Sequence, residues 1–171
     1  MRTSMTNELY GDLPAEVQQE LSVAAKADTA MRGTRLIEHG ASPSRLIFLN
    51  SGVAEVTVPV PGNTISLGTV GPGKVLGLRS IMCGDLPEID VTCLEDCEIS
   101  RLSRETFLEV LQRHPGMHFA VVKVLSSDLK TVQSFLREKA GRSKAVARPR
   151  PQLTCGLGTR RPKRFVPISS S

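Results

Sequence analysis

Cysteines, histidines and paired carboxylates are the residues of this chain whose types and spacing invite chemistry. The cysteines stand at positions 83, 93, 97 and 155. They make no pair of C-x-x-C knuckles of the kind that holds zinc, and they are too few for a disulfide scaffold, so reduced thiols are expected. Cys83, Cys93 and Cys97 are close enough in sequence to raise an iron–sulfur or redox site; the simpler reading is of small buried thiols in an apolar core. His114 and His118 are four apart, a spacing that on one helix would aim two imidazoles at one metal, but Pro115 lies between them and breaks that register. No metal and no cofactor are expected. Glu95 and Asp96 fall in a turn-like stretch, where solvation rather than acid–base work is their expected role. Nothing like G-x-S-x-G occurs, so no enzyme is expected.

Charge offers a different chemistry. Arg160, Arg161, Lys163 and Arg164 form the densest cationic cluster, which would attract phosphate backbones by counterion release, blind to sequence and sensitive to salt. Residues 141–171 carry eight Lys+Arg and no acid. The same stretch holds Pro149, Pro151, Pro162 and Pro167 and has no apolar period, a composition that predicts a disordered tail. A merely solvated extension competes with the nucleic-acid reading. The whole chain has 22 basic and 17 acidic residues, net +5, so the first 140 residues hold 14 basic against 17 acidic groups, net −3. A general claim of nucleic-acid binding therefore cannot rest on the overall basic balance.

The elements that position these residues are legible in coarse outline. A chain of 171 residues that is 40% hydrophobic has room for one domain with a real core plus a tail. No apolar run approaches the roughly 18 residues of a membrane span, and no basic-then-apolar leader opens the chain, which predicts a soluble cytoplasmic protein. Residues 14–27 place Val17, Leu21 and Ala24 or Ala25 at helical spacing behind Pro14, predicting a short lead-in helix. From Gly33 to about Leu102 short runs of Val, Ile, Leu and Thr are punctuated by glycines, the texture of a small antiparallel barrel or jelly roll. Expected strands are 34–38, 45–50, 53–60, 64–70, 88–94 and 97–102, with Pro61-Gly62-Asn63 as a hairpin turn. Alternation over 53–58 puts Ala54, Val56 and Val58 on one face and Val53, Glu55 and Thr57 on the other.

Helical spacing returns at Ser103, an expected N-cap for a helix whose buried side is Phe107, Leu108 and Leu111 and which stops at His114-Pro115. A second, longer helix is expected to about Lys139. In it Val122, Leu125, Leu129, Val132 and Leu136 alternate three and four apart, the seam expected where a helix meets a copy of itself. The competing reading is that this stripe packs on the protein's own barrel.

The glycines of this frame, with IEHG at 37–40, LIFLNSGVAEV at 46–56, LGTVGPGKVLGL at 67–78 and LEDCEISRLSRETF at 94–107, resemble the effector domain of the catabolite-activator (CRP/FNR) superfamily of cyclic-nucleotide-binding-domain proteins. The resemblance covers about residues 14–140. It implies a mainly β fold with helices: a double-stranded β-helix, or jelly roll, with a short N-terminal helix and a long C-terminal dimerisation helix. In cyclic-nucleotide-binding members a phosphate-binding cassette reads F-G-E-L-A or F-G-E-M-A and ends in P-R-S/T-A. The Glu accepts from the ribose hydroxyl, and the Arg neutralises the cyclic phosphate with help from backbone N–H groups.

This chain departs from that pattern. Leu78 follows Gly77 at the Glu position. Counting back from Cys93 puts Pro87 at the Arg position, and one residue of slack puts Glu88 there. Asp85, Glu88 and Asp90 load the loop with negative charge, so a cyclic nucleotide is disfavoured. The remaining cation, Arg79, together with Ser80 and the N–H groups after Gly77, could hold a different small anion, or Arg79 is an ordinary exposed arginine.

The implied organisation is an N-terminal extension at 1–13, a jelly roll at 14–114, a dimerisation helix at 115–140 and a basic Pro-rich tail at 141–171 where relatives carry a winged helix-turn-helix. The expected function is the sensor domain of a CRP/FNR-type transcription regulator, truncated or frame-shifted near residue 148. Its expected partner is a second copy or a full-length paralogue, with DNA contacted non-specifically if at all and no membrane. The alternative is a stand-alone module for an anionic metabolite, or a dominant-negative dimerisation partner.

Overall fold

A computed structural model describes residues 8–145 of the chain. Two four-stranded antiparallel sheets face each other. The first has the order β1 (Lys26–Ala30), β8 (Cys97–Ser103), β3 (Arg45–Ser51), β6 (Val75–Leu76). The second runs β2 (Arg35–Ile37), β7 (Asp90–Cys93), β4 (Ala54–Val60), β5 (Asn63–Val70). Helices α1 (Ala15–Ala24), α2 (Leu78–Cys83), α3 (Arg104–Arg113) and α4 (Met117–Ala145) complete the fold. This is the jelly roll with flanking helices and a long C-terminal helix that the sequence predicts.

The apolar run Leu46-Ile47-Phe48-Leu49 explains why the helices gather on one side. Successive side chains of a strand point to opposite faces, and all four of these are buried, so β3 must be covered on both. Ile47 and Leu49 join Ala54, Val91, Cys93, Cys97 and Ile99 in a core between the sheets. Leu46 and Phe48 join Leu21, Leu78, Phe107, Val121 and others in a second core between the first sheet and the helices. Tyr10 stacks on Phe48 there, ring centroids 5.7 Å apart.

Three local details differ from the sequence reading. The lead-in helix stops at Ala24, and Lys26–Ala30 form an edge strand paired to β8 rather than a last helical turn. The two-residue β6 was absent from the expected strands; it pairs with Ile47 and Phe48. Helix α4 runs to Ala145, past the boundary expected near 140. The Ser103 cap forms as predicted, its Oγ accepting from the Thr106 backbone N–H at 3.1 Å.

Helix α4 sorts the predicted seam. It buries Met117, Ala120, Val121 and Val124 in the helical core, with Leu125 packed at the margin. Val122 and Leu129 remain exposed, as does Phe119, 84% exposed and absent from the expected stripe. The side chains of Val132 and Leu136 lie outside the described residues, as do Arg160, Arg161, Lys163 and Arg164. Among the described residues no helix is long and apolar enough to cross a membrane.

Candidate functional site

The cassette is built on two left-handed glycines. Gly77, with φ +85°, turns the chain out of β6 into α2, and Gly84, with φ +76°, ends the helix. A side chain on Gly77 would also approach the Arg45 carbonyl at 3.3 Å, so the conformation and the close approach both require glycine. Between them the six residues of α2 face different ways. Leu78 and Ile81 enter the helical core, 2% and 1% exposed, because the turn aims that side of α2 at the helices. Arg79 points outward, its Nη1 3.4 Å from Glu88 Oε2, with both side chains mostly in solvent.

The expected site residues therefore separate. Gly77, Ser80 and Pro87 line one crevice of about 310 Å³, whereas Leu78 is inside the core and Arg79 is paired with Glu88 on the surface. Pro87 contributes its carbonyl, which accepts from the Gly40 N–H at 2.9 Å. The acidic loop is also less bare than its sequence suggests. Glu88 faces Arg79, and Asp90 Oδ1 accepts from the His39 N–H at 2.9 Å and lies 3.8 Å from Arg35 Nε.

The crevice brings in residues that sequence reasoning passed over. Arg35, Arg45 and Arg101 line it from β2, β3 and β8, with Ser44 from the loop before β3. A neighbouring crevice of about 590 Å³ shares Ser44, Arg45 and Arg101 and adds Lys26 from β1. Arg45 and Arg101 continue the alternation of Ile47 and Ile99 along their strands, a signal present in the pattern but not used in the sequence reading.

Cys93 and Cys97 are both buried in the core between the sheets. Burial pushes the Cys93 thiol up to about 11, helped by its hydrogen bond and proximity to Cys97. Cys83 is exposed. His114 Nε2 lies 2.9 Å from Glu20, and His118 Nδ1 turns back to the Pro115 carbonyl at 2.8 Å, so the two imidazoles have different partners. The Asp96 carboxylate accepts from the Arg32 backbone N–H at 2.8 Å, a tie between loops.

The sheet order, the glycine-capped turn and the short α2 can be set beside known proteins. The cyclic nucleotide-binding domain profile matches residues 28–114, half of the chain. The chain belongs to that family. No curated protein sequence matches it. Among solved structures, the fold is similar to the catabolite activator protein of Thermus thermophilus, with 20% identity and a TM-score of 0.68 over 78% of this chain and 63% of that one. It is also similar to the c-di-GMP responsive global regulator CLP of Xanthomonas campestris, with 16% identity and a TM-score of 0.66 over 78% of this chain and 66% of that one. The N-terminal domain of a transcriptional regulator from Streptomyces coelicolor is matched at 22% identity with a TM-score of 0.62, over 77% of this chain and 95% of that one. The chain thus spans under two thirds of the length of the Thermus protein. These likenesses show a shared fold, and this cyclic nucleotide-binding domain resembles the effector domains of CRP-type regulators.

Proposed function

We propose that the chain is the ligand-sensing unit of a CRP/FNR-type transcription regulator whose cassette does not take cyclic AMP or cyclic GMP in the usual way. The observation that carries this reading is the fate of the first two residues of α2. Leu78, where a ribose-binding Glu would stand, is packed in the helical core at 2% exposure. Arg79, the cation nearest to it in sequence, is turned outward to Glu88. A cyclic nucleotide at this turn would find no carboxylate on α2 for its ribose and no α2 guanidinium aimed inward at its phosphate, the two charge-assisted contacts on which the usual mode of binding depends. Calorimetry of the full chain against both cyclic nucleotides tests it: no heat at micromolar concentration is expected, and micromolar affinity overturns the reading.

In this reading a second copy, or a full-length paralogue, covers α4. The exposed Phe119, Val122 and Leu129 support that role, since large apolar side chains on one helix are costly to leave in water. Signal would pass as a ligand-biased rearrangement between jelly roll and helix, in a cytoplasmic setting. The chain is proposed as a binding unit and not an enzyme; substrate turnover that survives dialysis against chelators is the contrary result. A specific observation also favours the second reading, a module for an anionic metabolite: the arginine-lined crevices beside α2.

A further inference from the structure

Three strands distant in sequence bring cations to one end of the sandwich. Lys26 on β1 and Arg101 on β8 are directly opposed in register. Like charges directly opposite each other on a sheet destabilise it. Arg45 on β3 is opposed to Ser103 and so sits diagonal to Arg101, at a spacing of about 7–8 Å within reach of long side chains. All three line the larger crevice, in which Asp28 is the one carboxylate. Asp28 is already engaged, 2.6 Å from Arg101 Nη1. Arg45 and Lys26 have no carboxylate partner among the described residues. Arg45 Nε reaches only the Ser44 hydroxyl, at 3.4 Å.

A second observation points the same way. The Nε of Arg101 is buried and has no hydrogen-bond acceptor among the described residues. A buried guanidinium N–H without an acceptor is costly, and native structures rarely leave one so. Arg101 lines both crevices, and its Nη1 is held at Asp28 in the larger one. The arrangement thus combines excess positive charge, a donor lacking an acceptor and a cavity wide enough for a small molecule.

We infer that this strand-end crevice, built by Lys26, Arg45 and Arg101, binds a small doubly charged oxyanion such as a phosphate ester or a dicarboxylate. One oxyanion bridging Arg45 and Arg101 accepts charge-assisted hydrogen bonds from both guanidinium groups and relieves the Lys26–Arg101 repulsion. The inference rests on the reading of this domain as a sensor whose cassette has lost its cation, and it moves the anion from α2 to the opened end of the sheets. Arg79 has no part in it. Ser44, common to both crevices, is placed to add a hydroxyl donor.

The test is titration of the full chain with inorganic pyrophosphate and, separately, with succinate, read by the Nε–H resonance of Arg101 in nitrogen-15 NMR. That signal is assigned by its loss in Arg101→Lys. Saturable displacement of the signal at millimolar or lower probe is expected, from pyrophosphate if phosphate esters are the ligand class and from succinate if dicarboxylates are. Arg45→Gln, at an exposed residue with no ion-pair partner to strand, should weaken the response roughly tenfold or more. Arg79→Ala should leave it unchanged. Displacement that survives Arg45→Gln, as binding to the C-terminal cations would, overturns the inference. So does displacement lost in Arg79→Ala, or none with either probe. Cyclic AMP binding at micromolar affinity would sink the cassette reading while leaving the pyrophosphate result to stand on its own.

Discussion

Gly52 shows how tightly single residues are specified at the turn between β3 and β4. Its φ is +88°, and a Cβ there would lie 2.6 Å from Cys97 Sγ and 2.8 Å from the Asp96 carbonyl. Gly52→Ala therefore combines left-handed strain with a clash against backbone, and a loss of about 2 kcal/mol or more in denaturant-melt stability is expected. The neighbouring thiols give a pH signature. Burial raises the Cys93 thiol to about 11 from an ordinary 9.0, so the native state holds this proton longer than the unfolded chain does. The resulting stability is fully present below about pH 9 and is lost as pH rises through about 11. Equilibrium unfolding across that range should show a decline that Cys93→Ala flattens. That these cysteines would be buried was legible from their apolar setting. Strand alternation could have given the face on which Arg45 and Arg101 lie, but not their proximity, which arises only when β8 pairs with β3.

At the scale of elements, α4 carries two faces with opposite expected behaviour. Val121 is 1% exposed in the helical core, so Val121→Ala removes buried methyl groups and should cost roughly 2 kcal/mol of fold stability. Phe119→Glu, at a residue 84% exposed, should leave the fold intact and shift sedimentation toward monomer if copies meet on this face. Periodicity found the helix and one of its apolar stripes but not the Met117, Ala120, Val121 and Val124 face that enters the core, because one sequence cannot say which stripe faces its own barrel when both recur at helical spacing. The strands were missed for a related reason. Lys26–Ala30 has four exposed residues and one buried, so its strand character comes from pairing with β8 and not from propensity. The two residues of β6 are too few to make a period.

For the molecule as a whole, the net positive charge comes from the C-terminal residues and not from the jelly roll. Residues 146–171 contain six Lys+Arg and no acid, so cutting after Ala145 takes the net charge from +5 to −1. Retention on heparin should fall sharply with that cut, and before it should weaken steeply with added salt; retention unchanged by the cut would show that the tail does not carry the polyanion contact. Fold class was readable because glycine-punctuated strands and a capped helix point to the same answer at several levels. The ligand was not, because binding surfaces are assembled from residues far apart in the chain.

Because β3 is buried on both faces, it is a party wall between two oily compartments. Loosening the interior of the sandwich strips one side of Ile47 and Leu49's strand, and loosening the helical layer strips the other, so neither compartment can melt and leave its neighbour standing. A scanning calorimeter should record one heat-absorption peak, with the van't Hoff and calorimetric enthalpies in agreement; two resolved peaks would mean that the wall does not join them.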